Sequence, residues 1–250
     1  MLKIHCTNHR IELAVKDAMD EKYFKKAERF YRNNFYLLKN SSVLKDELRN
    51  ACDALDITYY SLPKCHGTRF VNHCKKGFTC LLHLWPAFVT VYRNAEITTS
   101  NAKTRAKISG LLKKFTDVRE LLRVAAFLEV VEMVSVASLV FEKKDLLPFE
   151  IETSIKITQS KISQYIENED NPDSKLSFFN ISQSEKSKCD IERNYPKAGQ
   201  ERKKEKNRET KSVTIDGLTF SKNCVSVAQG QVVKIAKAIK RALAKRFEEF

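Results

Sequence analysis

Apolar residues recur at three- and four-residue steps through most of positions 1–167, the rhythm of helices that bury one face. Leu13, Ala14, Ala18, Phe24, Ala27, Tyr31, Phe35 and Leu38 carry it from Ile11 to Lys39 and predict one long helix or two. Asn40-Ser41-Ser42 ends this run, and Ser42 is placed to cap a further helix to Asp56. Ile57 to Lys64 is β-branched and aromatic and meets Pro63, which predicts a short extended connection before a turn at Gly67. Val71 to Arg93 has an apolar centre running from Phe78 through Leu81, Trp85 and Phe88 to Tyr92. Pro86 sits inside that pattern and predicts a kink. Ser100 is placed to cap a helix reaching Lys114. Thr116 is placed to cap the longest helix, Asp117 to Lys143, whose apolar face is broad enough for burial. Leu146-Leu147-Pro148 breaks it, and Phe149 to Glu167 follows with Ile151, Ile155, Ile162 and Ile166 on one face.

The composition then changes. Residues 168–212 have little apolar periodicity and many Ser, Asn, Lys and Glu, ending in the run QERKKEKNRETK at 200–211, which reads as a disordered charged linker. In residues 213–250, Val213 to Phe220 predicts a hairpin turning at Asp216-Gly217. An amphipathic helix from Ser226 to Glu248 follows, with Val232, Ile235, Ile239, Leu243 and Phe247 on one face. The expectation is a mainly α chain. It would comprise a helical bundle over 1–167, the linker over 168–212, and a hairpin plus amphipathic helix over 213–250. The low counts of Gly 6 and Pro 5 fit helices better than a turn-rich β protein.

The most apolar stretch, Val124 to Phe141, contains Glu129 and Glu132. Each acid near a bilayer centre costs on the order of 2.5–3.5 kcal/mol, so a buried helix is expected here and no membrane span. The formal net charge of +14 points to polyanionic partners, nucleic acid or an acidic protein surface, or equally to a solvated lysine-rich surface with no polyanion. Seven cysteines lie without paired spacing, and with Lys3, His5 and Cys6 so soon after Met1 no signal peptide is expected. Reduced thiols in a reducing compartment are expected.

Two short signatures stand in order, Cys6-Thr7-Asn8-His9-Arg10 and Gly67-Thr68-Arg69-Phe70. With the helical filling between and after them, residues 3–165 resemble transposases of the hAT superfamily and the host genes derived from them. Asp117-Val118 to Leu122 is similar to that family's insertion helices, and Leu243-Ala244-Lys245-Arg246-Phe247 to its Leu-x-x-Arg-Phe helix ending. The resemblance implies a remnant of a ribonuclease H-like core joined to a helical insertion domain. It implies a structural role for Cys6, His9 and Arg10. The family's Trp after Gly-Thr-Arg, which stacks on a flipped base, is Phe70 here and keeps a π face. The family's catalytic acids lie upstream of the Cys-x-x-His element and beyond the Leu-x-x-Arg-Phe helix. They are expected to be absent between Met1 and Phe250, so the chain is expected not to be an enzyme.

The residues agree with that expectation. Two-metal catalysis needs converging carboxylates, whereas Asp17, Asp20 and Glu21 alternate with Lys16 and Lys22 as a solvated helix face does. Cys6 and His9, with Cys65, His66, His73 or Cys74, lack the C-x₂-C pairing of structural zinc, so packed thiols and hydrogen-bonded imidazoles are expected and no metal or other cofactor. No Gly-rich phosphate loop is present. The functional signal is basic. Lys103, Arg105, Lys107, Lys113 and Lys114 share one helical region, and Lys234, Lys237, Arg241 and Lys245 lie opposite the apolar stripe of the last helix. With Arg69 and Phe70, these are the candidate nucleic-acid contacts. The expected function is an inactive transposase-derived protein that binds DNA, protein or both, in the nucleus. The alternative is a helical interaction or self-association module with no nucleic-acid role, its lysines merely solvated.

Overall fold

The computed structural model describes residues 7–18, 22–65, 70–142, 147–167, 212–215 and 218–248. Its helices are α1 (Thr7–Ala18), α2 (Lys22–Lys39), α3 (Ser42–Ala54), α4 (Phe70–His83), α5 (Trp85–Thr98), α6 (Ala102–Phe115), α7 (Val118–Val140), α8 (Pro148–Glu167) and α9 (Lys222–Arg246). A hairpin of β1 (Ser212–Ile215) and β2 (Leu218–Ser221) precedes α9. The protein is therefore mainly α-helical, as the periodicity predicts. Ile11 to Lys39 contains two helices rather than one.

Capping chemistry sets where each helix begins and ends, and it moves several predicted boundaries. Ser41, not Ser42, caps α3: its Oγ accepts the Leu44 N–H at 3.2 Å, the reach of an N-cap to its third helical residue. Asn101, not Ser100, caps α6 by accepting the Thr104 N–H at 3.0 Å. Thr116 faces backwards. Its hydroxyl donates to the Leu112 carbonyl at 2.9 Å, so it closes α6 instead of opening α7. Pro86 does not kink one helix but stands in the first turn of α5, where a missing N–H has no helical partner to lose. Pro148 likewise opens α8, and Glu150 reaches back to accept the Leu147 N–H at 2.9 Å. Helix α3 ends with Asp56 at a φ of 56°, with the Ile57 N–H bonded to the Cys52 carbonyl at 2.9 Å.

Ile215 pairs with Leu218 in the antiparallel hairpin; Asp216 and Gly217, where the turn is expected, lie outside the described residues. The longest described helix is α9, with 25 residues against 23 in α7, a reversal of the expected order.

Helix α7 is the hub and packs against α1, α2, α4, α6, α8 and α9. Val124, Leu128, Val131, Val134 and Ala137 are buried along it. Its acids find partners inside the protein. Tyr165 donates to Glu129 at 2.8 Å, and Lys75 pairs with Glu132 at 3.0 Å. No described helix is long and apolar enough to cross a membrane. Phe30, Trp85, Phe88, Tyr92 and Phe115 form an aromatic knot where α2, α5 and α6 meet. The indole N–H of Trp85 donates to the Phe115 carbonyl at 2.8 Å, satisfying an orphan acceptor at the end of α6. Although a charged stretch precedes it in the sequence, α9 packs on α1, α7 and α8, burying Ile235, Ala236, Ile239, Leu243 and Phe247. The charged stretch, apart from Ser212 in β1, lies outside the described residues.

Candidate nucleic-acid interface

Of the first signature, Cys6 lies outside the described residues, and His9 and Arg10 ride on α1 with His9 exposed. Arg10 Nη1 donates to the Arg246 carbonyl at 3.3 Å, and Arg246 holds Asp17 Oδ2 through Nη2 at 2.7 Å and Nε at 2.9 Å. The two ends of the described chain are joined there. Of the second signature, Gly67, Thr68 and Arg69 lie outside the described residues. Phe70 opens α4, and its side chain is not among those described. Directly after it, the Val71 N–H is bound by the buried carboxylate of Glu12 from α1. The two signatures thus flank one tertiary contact.

Two of the thiols beside them, Cys74 and Cys80, are poor nucleophiles. Cys52, Cys74 and Cys80 are buried, and Cys65, half-buried, donates to the His73 carbonyl at 3.3 Å. Burial pushes the Cys74 thiol well up, with Cys65 adding to it, and burial pushes Cys80 up as well. A thiol held protonated is neither a ready nucleophile nor a ready metal ligand. No group of three or more His, Cys, Asp or Glu gathers in metal-binding geometry among the described residues.

The cations are the distinctive feature. Helix α6 carries five of them and no carboxylate. Its core face is Ile108, Leu111 and Phe115. At 100° per residue, Lys103, Lys107 and Lys114 fall on one flank, while Arg105 and Lys113 project elsewhere. The sequence region is therefore one, but its five cations do not share a face. Lys107 and Lys114 line a groove of about 500 Å³ between α2 and α6. The Lys114 ammonium also lies 5.6 Å from the centre of the Phe30 ring, which fixes its direction.

On α9, Lys234, Lys237, Arg241 and Lys245 are all exposed, opposite the buried stripe. Lys237 and Arg241 line a second groove, of about 590 Å³, with Ile166 of α8. Lys240 lines it too. Lys240, not among the expected contacts, lies one turn from Lys237 on the same face. Four of the predicted cations line these grooves, Lys107 and Lys114 in the first and Lys237 and Arg241 in the second; Lys103, Arg105, Lys113, Lys234 and Lys245 line neither. The first groove also takes Asn33 and Tyr36 from α2 and Asn40 from just past its end, whose spacing at i, i+3 and i+7 is the signal the sequence carries.

Comparison of the chain with known protein families, with curated proteins and with solved structures returns no match.

Proposed function

We propose that this chain is a catalytically inactive, transposase-derived protein of the hAT type that binds nucleic acid, in the nucleus, through the cations of α6 and α9. One observation carries the binding: α6 has five cations and no acid, with Lys103 and Arg105 near its N-terminal end. The helix dipole disfavours positive charge there by roughly 0.3–1 kcal/mol per group at low salt. A helix that keeps charges against its own stability is best explained by a ligand that needs them. The absence of catalysis is supported by what the carboxylates already do. Glu12 binds the Val71 N–H, Asp17 pairs with Arg246, Glu129 accepts from Tyr165, and Glu132 pairs with Lys75. These four carboxylates serve contacts within the fold, which supports a structural role for them.

The test is binding of the full chain to duplex and to single-stranded DNA across a salt series. Affinity that falls steeply and log-linearly with salt is expected, because phosphate contacts release counterions. No binding at about 50 mM salt, or affinity indifferent to salt, overturns the reading. Magnesium- or manganese-dependent nicking that persists through purification overturns the inactive part alone.

A second reading, a protein-interaction or self-association module, draws on the α7–α8 end. Val136, Leu139, Leu147, Phe149 and Ile157 are exposed there. Met133, Val140 and Phe149 line an apolar groove of about 250 Å³. Concentration-dependent association without nucleic-acid binding would favour it.

A further inference from the structure

The groove between α2 and α6 differs from a row of exposed lysines because it has shape. On one wall Asn33, Tyr36 and Leu37 turn the same face of α2 toward it, with Asn40 just past the end of that helix. On the other stand Lys107, Gly110, Leu111 and Lys114. No carboxylate lines it, so its two ammonium groups are not neutralised from within. Its volume of about 500 Å³ lies in the range of small-ligand sites. Tyr36 is 42% exposed and is braced by Phe35, whose ring centre lies 5.3 Å away at 76°. At Gly110 no atom lies within 4 Å of the place a Cβ would take, so that wall stays open.

Each component suits one part of a nucleotide. An exposed aromatic ring offers a base a stacking surface that does not depend on its identity. Asn33 and Asn40 flank that ring one turn away on either side, and their amides both donate and accept, as the edge of an unpaired base requires. Lys107 and Lys114 lie two turns apart, about 10 Å along the α6 axis, which brackets a nucleotide rather than a single phosphate. Duplex bases are already stacked and could not use the ring.

We propose that the α2–α6 groove seats one nucleotide of single-stranded nucleic acid, with its base on Tyr36 and its flanking phosphates on Lys107 and Lys114. This rests on the nucleic-acid reading of α6 and adds to it the form of the strand and the place where it sits.

The experiment compares fluorescence-anisotropy titrations of the full chain with a labelled oligothymidylate of about ten nucleotides and with a duplex, at about 50 mM salt. Wild type is expected to bind the single strand more tightly. Gly110→Gln leaves the net charge unchanged, and its Cβ has no neighbour within 4 Å, yet it places a side chain in the groove. It should weaken single-strand binding about tenfold and leave duplex binding within about twofold. Tyr36→Ala should also cost the single strand about tenfold. Thermal melts of both variants check that the fold is retained. Either variant binding the single strand like wild type while melting like wild type overturns the groove assignment. So does a wild-type preference for duplex, or a Gly110→Gln loss that is equal on both strand forms; in these cases the wider nucleic-acid reading survives. A wild type that binds neither nucleic acid overturns both.

Discussion

Both carboxylate oxygens of Glu12 lie within hydrogen-bond reach of the Val71 N–H, at 3.1 and 3.3 Å. Val71 is in the first turn of α4, where backbone N–H groups have no helical acceptor. Helix α1 therefore caps α4 from 59 residues away, and does so with a negative charge at the positive end of the helix dipole. Glu12 is 1% exposed, so water cannot replace it. Glu12→Ala is expected to destabilise the protein by about 1–3 kcal/mol. Glu12→Gln, which keeps an acceptor but loses the charge, should cost less. Urea denaturation of the two variants gives the ordering, and equal losses would show that the charge contributes nothing.

Two helical glycines should respond to alanine with opposite signs. A Cβ on Gly77 would lie 2.5 Å from Cys65 Sγ and 2.7 Å from the Tyr31 hydroxyl. The hydroxyl is itself held by the Pro63 carbonyl, so it cannot yield freely. Gly77→Ala should therefore destabilise by roughly 1–3 kcal/mol through overpacking. Gly110 has no such neighbour, and Gly110→Ala should stabilise by about 0.5–1 kcal/mol, the ordinary helix preference. Thermal melts moving in the same direction would contradict the packing described around Cys65.

The C-terminal helix separates packing from charge. Leu243 is fully buried, and Leu243→Ala should cost about 2–5 kcal/mol. Arg241 is exposed two residues away, and Arg241→Ala should leave stability within about 0.5 kcal/mol. The Arg246–Asp17 pair falls between them. Both side chains are more than a third exposed, so a double-mutant cycle should give no more than about 1 kcal/mol, declining with salt. If Leu243→Ala were silent, α9 would not belong to the core.

The helical rhythm was legible because it is local. Each buried stripe, such as Ile235, Ile239 and Leu243, repeats within its own segment. Caps were read one residue off where two capable neighbours compete, as at Ser41 and Ser42 or Ser100 and Asn101. Only the backbone path decides which oxygen reaches the free N–H. Thr116 closes α6 rather than opening α7 because a hydroxyl both donates and accepts. Of the candidate site, the α6 cations could be seen in the sequence, but the groove could not. Asn33, Tyr36 and Asn40 look like a solvated face until α6 lies opposite them. The Glu12–Val71 and Arg10–Arg246 contacts are tertiary, and no periodicity encodes them.

Alkaline pH should unfold the protein earlier than a chain with solvated tyrosines. Burial pushes the phenols of Tyr31, Tyr92 and Tyr165 up, with Cys65 adding to the shift at Tyr31 and Glu129 at Tyr165. The folded state then keeps protons that the unfolded chain releases near pH 10. Fewer protons bound in the unfolded state means that stability falls as pH rises. The stabilisation is complete below about pH 10 and declines above it by about 1.4 kcal/mol per pH unit for each such group. The raised thiols of Cys74 and Cys80 start the decline earlier, near pH 8.5, where an unfolded thiol ionises. Urea denaturation from about pH 7 to 11 tests the slope. Tyr92→Phe separates the causes. It strips the buried Asn34 Oδ1 of its hydroxyl donor and should lower stability at neutral pH by about 1–3 kcal/mol. It also removes one titrating phenol, so its alkaline decline should be shallower than wild type. An unchanged slope would mean that Tyr92 ionises in the folded protein as readily as in the unfolded one.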